Sequence, residues 1–160
     1  SLPESVKVTI DDARHFVKGA TKQYDAIIFD IFKGEETPNH IITLKSLEEV
    51  KKILNPEGFL LINSFNFIEG DRGIGLRSIY KTLETSGFKT SIWATDEAIY
   101  DRNLLFVSFF IDHPKYEEYL NLDSINFNDA QTLLDEYPAF EKLNGQAALE
   151  WRRGAIKNGI

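Results

Sequence analysis

Seven residues, Tyr24-Asp25-Ala26-Ile27-Ile28-Phe29-Asp30, constrain the fold more than any other stretch of the chain. Four consecutive apolar residues, Ala26 to Phe29, lie between two acids. That is the pattern of a strand buried on both faces of a parallel sheet. Asp30 falls where the strand ends, and ligands of open α/β sheets bind outside the carboxyl ends of the strands. Asp30 is therefore the centre of a candidate site. A cap on the next helix or a partner for a lysine would account for it equally well.

At 160 residues the chain is one domain's worth, long enough to bury a real core without having to be a whole domain. Twelve Phe within a 42% hydrophobic composition predict an aromatic-rich core. A net charge of -7 with no run of Lys or Arg argues against nucleic acid or an anionic membrane and for small-molecule or protein partners. No apolar run approaches the roughly 18 residues that span a bilayer, and the first twenty residues lack a signal-peptide pattern, so a cytoplasmic setting is expected. The absence of cysteine excludes disulfides, thiolate metal sites and Cys nucleophiles. Methionine is also absent, and the Ser-Leu-Pro opening reads as an excised or processed piece of something longer.

Val6, Val8 and Ile10 alternate with polar residues, which predicts a strand with one buried face. Asp11 and Asp12 end it and precede a short helix over Ala13 to Ala20 with a glycine stop at Gly19. After the Tyr24 to Asp30 strand, Lys33 to His40 forms a polar loop able to act as a lid. A helix over Thr43 to Leu54 follows, then an Asn55-Pro56-Glu57-Gly58 turn and a buried strand, Phe59 to Ile62. Gly73 to Ser86 reads as a helix ended by Gly87, and Phe88 to Ala94 and Asn103 to Ile111 as strands joined in an antiparallel hairpin. The fold class is α/β: a Rossmann-like three-layer sandwich over residues 1–111, mostly parallel, with an antiparallel edge strand. Residues 112–160 form a helical extension packed on that domain or on a partner chain. Its helices are Tyr116 to Leu120, Asn128 to Tyr137 with Asn128 as N-cap, and Leu143 to Ile156.

The ligand-side candidates are Asp11, Asp12, Ala13, Asp30, Phe32, Asn63 and Asn66, all at or just after predicted strand ends. A carboxylate after the first strand can accept from an exocyclic amine, and a small Ala beside it lets a flat ring approach the backbone. Asp12 suits a helix N-cap just as well. Asp30 suits a general base or an anchor for a cationic group. His15, His40 and His113 show no ligand spacing, so no metal is expected. Gly70 to Gly75 lacks the Lys-Ser/Thr of a phosphate loop and reads as a turn opening a helix.

Four segments together resemble consecutive motifs of the spermidine synthase family, a branch of the class I S-adenosylmethionine-dependent methyltransferase fold. They are Val-Thr-Ile-Asp-Asp-Ala-Arg-His-Phe from Val8, Tyr-Asp-Ala-Ile-Ile-Phe-Asp from Tyr24, Thr-Pro-Asn-His-Ile-Ile-Thr from Thr37, and Leu-Asn-Pro-Glu-Gly-Phe-Leu-Leu-Ile-Asn from Leu54. The resemblance covers Val6 to about Phe110. It implies that Asp12 binds the adenine amine of S-adenosylmethionine or its decarboxylated form, with Ala13 beside the ring and Asp11 and Phe32 nearby. It implies that Asp30 binds and deprotonates the attacking amine of a polyamine, with no metal. Ile31-Phe32-Lys33-Gly34-Glu35 departs from the family's usual continuation after that Asp. The family's glycine-rich first turn and the acid after its second strand would precede Ser1.

The resemblance thus implies the C-terminal part of a class I domain, lacking its first two strands of a sheet ordered 3-2-1-4-5-7-6. The Tyr24 to Asp30 edge would then be bare, and it is expected to be covered by the Val6 to Ile10 strand or by another copy. Aminopropyl transfer to a polyamine is the first functional reading, and the chain by itself should be inactive. Methyl transfer to another acceptor is the second, and a non-catalytic assembly module the third. The expected partners are a small-molecule amine or methyl acceptor, and a homodimer mate or a missing N-terminal half.

Overall fold

The computed structural model describes residues 3–32, 37–65, 67–96, 102–112, 119–137 and 139–158. In chain order the main elements are α1 (Ala13–Gly19), β1 (Tyr24–Phe29), α2 (Leu44–Lys51), β2 (Leu54–Phe65), α3 (Ile74–Thr85), β3 (Lys89–Ala94), β4 (Asn103–Phe109) and α4 (Phe140–Asn158). Among the described residues the strands form one sheet in the order β1-β2-β4-β3. β1 is parallel to β2, and β4 is antiparallel to both β2 and β3. Three strands thus point one way, and the antiparallel member of the expected hairpin lies just inside the edge strand β3. The order agrees with the 4-5-7-6 half of the sheet that the resemblance implies.

Register sorts the side chains onto two faces. Leu60 lies opposite Ser108, and Ile62 opposite Phe106, which also faces Ile92 of β3. These residues are buried, and Val17 of α1, Leu47 and Val50 of α2 and Leu76, Ile79 and Leu83 of α3 join the same core. Burial of each large side chain contributes about 1.5–3 kcal/mol. A slip of one residue would turn this set to solvent, so the alternation fixes the register. The opposite face carries Leu61, Leu105 and Val107, half-exposed, with Ile28 and Trp93 exposed. The described residues fill two of the three expected layers, with α4 packed on α3.

Several expectations are corrected. Residues 6–10 form no strand, and Val6, Val8 and Ile10 are exposed, Ile10 fully. Alternation makes a strand only where a neighbour completes the ladder, and no described strand lies beside this segment. The same edge leaves β1 exposed: Ile28 is 60% accessible, Ala26 is exposed, and of the β1 residues only Phe29 is buried. Burial on both faces is not realised here, and residues 6–10 do not pair with the β1 edge.

The Asn55 to Gly58 turn is instead a bulge inside β2, since Tyr24 aligns with Leu54 but Ala26 with Phe59. Gly58 permits it, because a Cβ there would sit 2.8 Å from the Asp25 carbonyl oxygen. Gly87 ends α3 with φ 90°, where a side chain would be strained.

The tail differs most. Tyr119 bridges Trp93 and Leu120 N–H donates to Ile92 O at 2.8 Å, so these two residues are extended; 116–118 lie outside the described residues. Residues 128–137 are turns and bends, not a helix, and Asn128 caps nothing helical. Hydroxyls of α3 capture their backbone: Gln131 N–H donates to Ser78 Oγ and Leu133 N–H to Thr82 Oγ. With Leu133 buried and Asp129 paired to Arg77, the segment is pinned in an extended path. The last helix begins at Phe140, earlier than expected. Half of the lid loop (33–36), Asn66 and the hairpin tip (97–101) fall outside the described residues.

Candidate functional site

Asp12 is the N-cap of α1: its carboxylate accepts from the backbone N–H groups of Arg14 and His15, both at 3.0 Å. Its other oxygen lies 2.9 Å from His40 Nε2. The His15 backbone hydrogen bond, followed by that of His40, holds this exposed carboxyl below its ordinary range. Asp11 accepts from the Asp12 N–H at 2.8 Å, and its carboxylate meets His15 Nδ1 at 2.8–2.9 Å. Both acids thus act on the first turn of α1, which explains why a helix begins there.

Asp30 follows β1 at its carboxyl end, where Asn63 Nδ2 donates to its Oδ1 at 2.8 Å. Asn63 belongs to β2 and aligns with Leu105, which puts it on the open face of the sheet. Its Oδ1 is buried and has no hydrogen-bond partner among the described residues. One residue on, Ser64 shares a buried 2.8 Å hydrogen bond with Thr37 and ties the loop after β1 to β2. Phe32 is 41% accessible just beyond the strand.

A groove of about 430 Å³ lies between the β1 edge and residues 7–11, with Ala13 and Phe16 of α1 on its wall. Asp11 and Ala13 line it; Asp12, Asp30 and Phe32 do not. Asp12 and Asp30 are held by different partners, His40 and Asn63. Of the two residues that the resemblance assigns to an adenine, Ala13 lines this groove and Asp12 does not. Both Asp12 oxygens are engaged, one by the α1 cap and the other by His40. No described residues supply a glycine turn or an acid for the ribose.

Spacing could not reveal three further side chains. Arg14, 8% accessible, binds Glu49 at 2.8 and 3.2 Å, Asp135 at 2.7 and 2.8 Å, and the His40 carbonyl at 3.0 Å. It joins α1, α2 and the tail beneath the Asp12 cap. His40 reaches Asp12 across 28 positions, and Arg77 reaches Asp129 across 52. The sequence signal for Arg14 was a cation in a short helix beside acids, which many solvated helices share.

No family model matches the chain. It is 37% identical over 65 residues to a polyamine aminopropyltransferase of Vibrio vulnificus, covering 39% of this chain and 22% of that protein. It is 34% identical over 67 residues to an N-terminal histidine N-methyltransferase of Emericella nidulans, 39% of this chain and 12% of that one. The chain therefore spans less than a quarter of either curated relative. Among solved structures it is similar to a probable spermidine synthase from Corynebacterium glutamicum, with TM-score 0.61 and 23% identity over 72% of this chain and 43% of that one. Human methyltransferase-like protein 13, solved in complex with SAH, matches at TM-score 0.54 and 24% identity over 77% of this chain and 55% of that one. MNMC2 from Aquifex aeolicus matches at TM-score 0.52 and 22% identity, over 92% of this chain and 45% of that one. The fold is a partial, Rossmann-like class I methyltransferase fold, and its likeness to spermidine synthases and methyltransferases agrees with the motifs read in the sequence. No described helix is long and apolar enough to cross a membrane.

Proposed function

We propose that the chain is part of a class I transferase that acts on an S-adenosyl ligand, and that the transferred group is aminopropyl, passed to a polyamine. The observation that carries the reading is the placement of Asp11, Asp12 and Ala13 at the start of α1 and Asp30 at the carboxyl end of β1, within a fold similar to a spermidine synthase. In the reaction the acceptor's neutral amine attacks the carbon next to the sulfonium. The new C–N bond forms as the C–S bond breaks, sulfur leaves as a neutral thioether, and the amine proton passes to Asp30. Asn63 would fix Asp30 in position through its Oδ1, leaving the second oxygen for the amine.

Methyl transfer is the second reading. It is favoured by Ile31-Phe32, which departs from the aminopropyltransferase pattern, and by similarity to a methyltransferase solved with SAH. There Asp30 would orient the acceptor. Titration calorimetry with S-adenosylmethionine and its decarboxylated form, on a longer parent protein containing this chain, separates the two. Tighter binding of the decarboxylated ligand supports aminopropyl transfer, tighter binding of the other supports methyl transfer, and binding of neither refutes both.

Asp12 needs a matched pair of variants because it also caps α1. Asp12→Ala loses the cap, at about 1 kcal/mol, whereas Asp12→Asn retains it. Asp12→Asn should weaken adenosyl binding without lowering the melting temperature. Unchanged affinity would remove Asp12 from the site.

A further inference from the structure

Asp12 stands between two residues that line the groove beside β1, yet it does not line the groove itself: Asp11 and Ala13 are on the wall and Asp12 is not. Its carboxylate is engaged elsewhere. Oδ1 accepts both N–H groups of the α1 cap, from Arg14 and His15, and Oδ2 meets His40 Nε2 at 2.9 Å. The second oxygen is thus held toward the segment that leads from β1 to α2.

Residues 37–41 of that segment form a strap fixed from inside the molecule. Thr37 shares its buried 2.8 Å hydrogen bond with Ser64 of β2, and the His40 carbonyl accepts from the buried Arg14 guanidinium at 3.0 Å. The His40 ring is anchored far less firmly than its backbone. The His40 and Asp12 side chains are 49% and 53% accessible, so the pair can part without uncovering any core. Next to His40, Asn39 Oδ1 is buried with no hydrogen-bond partner among the described residues, a lost hydrogen bond that weighs against this arrangement of the strap.

An exocyclic amine that binds Asp12 has to use the oxygen that His40 holds, since the other already accepts two backbone N–H groups. We propose that His40 is a latch on Asp12. Closed, as it is here, it occupies the oxygen that an adenosyl amine would use, and the amine gains that oxygen when the ring swings off. The latch rests on the transferase reading, because it regulates the adenine end of that same site. Ion pairs as exposed as this one shift an equilibrium by no more than about fivefold, so the latch tunes affinity without abolishing binding.

The test is titration calorimetry on a longer parent protein containing this chain, with S-adenosylmethionine and with its decarboxylated form. Four proteins are compared: the unsubstituted parent, His40→Ala, Asp12→Asn and the double variant. His40→Ala should bind the ligand about two- to fivefold more tightly than the parent, and should have no effect once Asp12 is replaced. A residue that merely supported the fold would weaken binding when removed. Unchanged or weaker binding by His40→Ala, with the parent still binding, would overturn the latch and leave the transferase reading standing. The same tightening in the Asp12→Asn background would also overturn it, since His40 would then act through something else. Binding of neither ligand by any of the four would overturn the reading and the latch together.

Discussion

Replacing Arg14 with Met removes a cation that joins α1, α2 and the tail, and the structure sets the size of the loss. Arg14 is 8% accessible, and the side chains of its partners Glu49 and Asp135 are 13% and 23% accessible. Arg14→Met takes the main partner from two carboxylates of low exposure, leaving Glu49 with Lys18 at 3.8 Å and Asp135 with the Thr43 hydroxyl. Removing one partner of a buried pair costs about 3–5 kcal/mol, and the partial exposure of Asp135 puts the expected loss near the lower figure.

The pH dependence gives an independent check. The Arg14 hydrogen bond is the main cause that holds the Asp135 carboxyl at about 2, against an ordinary 3.8, with Thr43 assisting and burial opposing. At 1.36 kcal/mol per pH unit that gap is worth about 2 kcal/mol. Glu49 is lowered in the same direction, again chiefly by Arg14. Both folded pKa values are depressed, so this stability is fully present above the unfolded values and is lost as pH falls through the folded ones. The window runs from about pH 5 down to about pH 2.

Urea unfolding at pH 7 should therefore find Arg14→Met less stable by about 3 kcal/mol, a fall in Tm of roughly 6–12 °C for a chain of this size. Near pH 2 the difference should shrink to below about 1 kcal/mol. Adding Glu49→Leu and Asp135→Leu should recover much of the loss, because the penalty lies in orphaned charges. A deficit below about 0.5 kcal/mol at pH 7, or one that does not change with pH, would refute this account of the network.

Two further perturbations test the core and the bulge. Gly58→Ala should lose about 1–3 kcal/mol in chemical denaturation, since the new Cβ would meet the Asp25 carbonyl at 2.8 Å and the Leu54 side chain at 3.0 Å; a neutral result would mean the bulge readily relaxes. Phe106→Ala, at a fully buried position between Ile62 and Ile92, should cost about 3–5 kcal/mol, whereas Trp93→Ala on the open face should cost much less in the isolated chain. Equal losses for the two would mean that Trp93 is not on an open face.

The sequence revealed those elements whose causes are local. Helices α1, α2 and α3 carry their caps and apolar spacing in order: Asp12, Thr43 and Gly87 mark boundaries that the structure keeps. The β3–β4 hairpin was equally legible because its two strands are adjacent in the chain. What failed depended on something distant. Val6 to Ile10 has strand chemistry and no partner strand among the described residues, and Asn128 to Tyr137 has helical spacing but surrenders its backbone to Ser78 and Thr82 of α3. At the site, Asp12 and Asp30 could be nominated from strand ends, while His40 and Arg14 became visible only when folding crossed long separations.

The apolar run from Ala26 to Phe29 unites the successful and failed readings. Its composition is that of a strand with neighbours on both sides, and its parallel register with β2 satisfies one of them. Local chemistry therefore specifies more sheet than these residues alone build, and the surplus is concentrated at Ile28 and in the groove beside it. Asp11 and Ala13 line that same groove. If Ala13→Leu, which narrows the groove, leaves the binding of S-adenosylmethionine or its decarboxylated form by a longer parent protein unchanged, the groove and the proposed adenosyl pocket are separate, and Asp11 and Ala13 serve only to start α1.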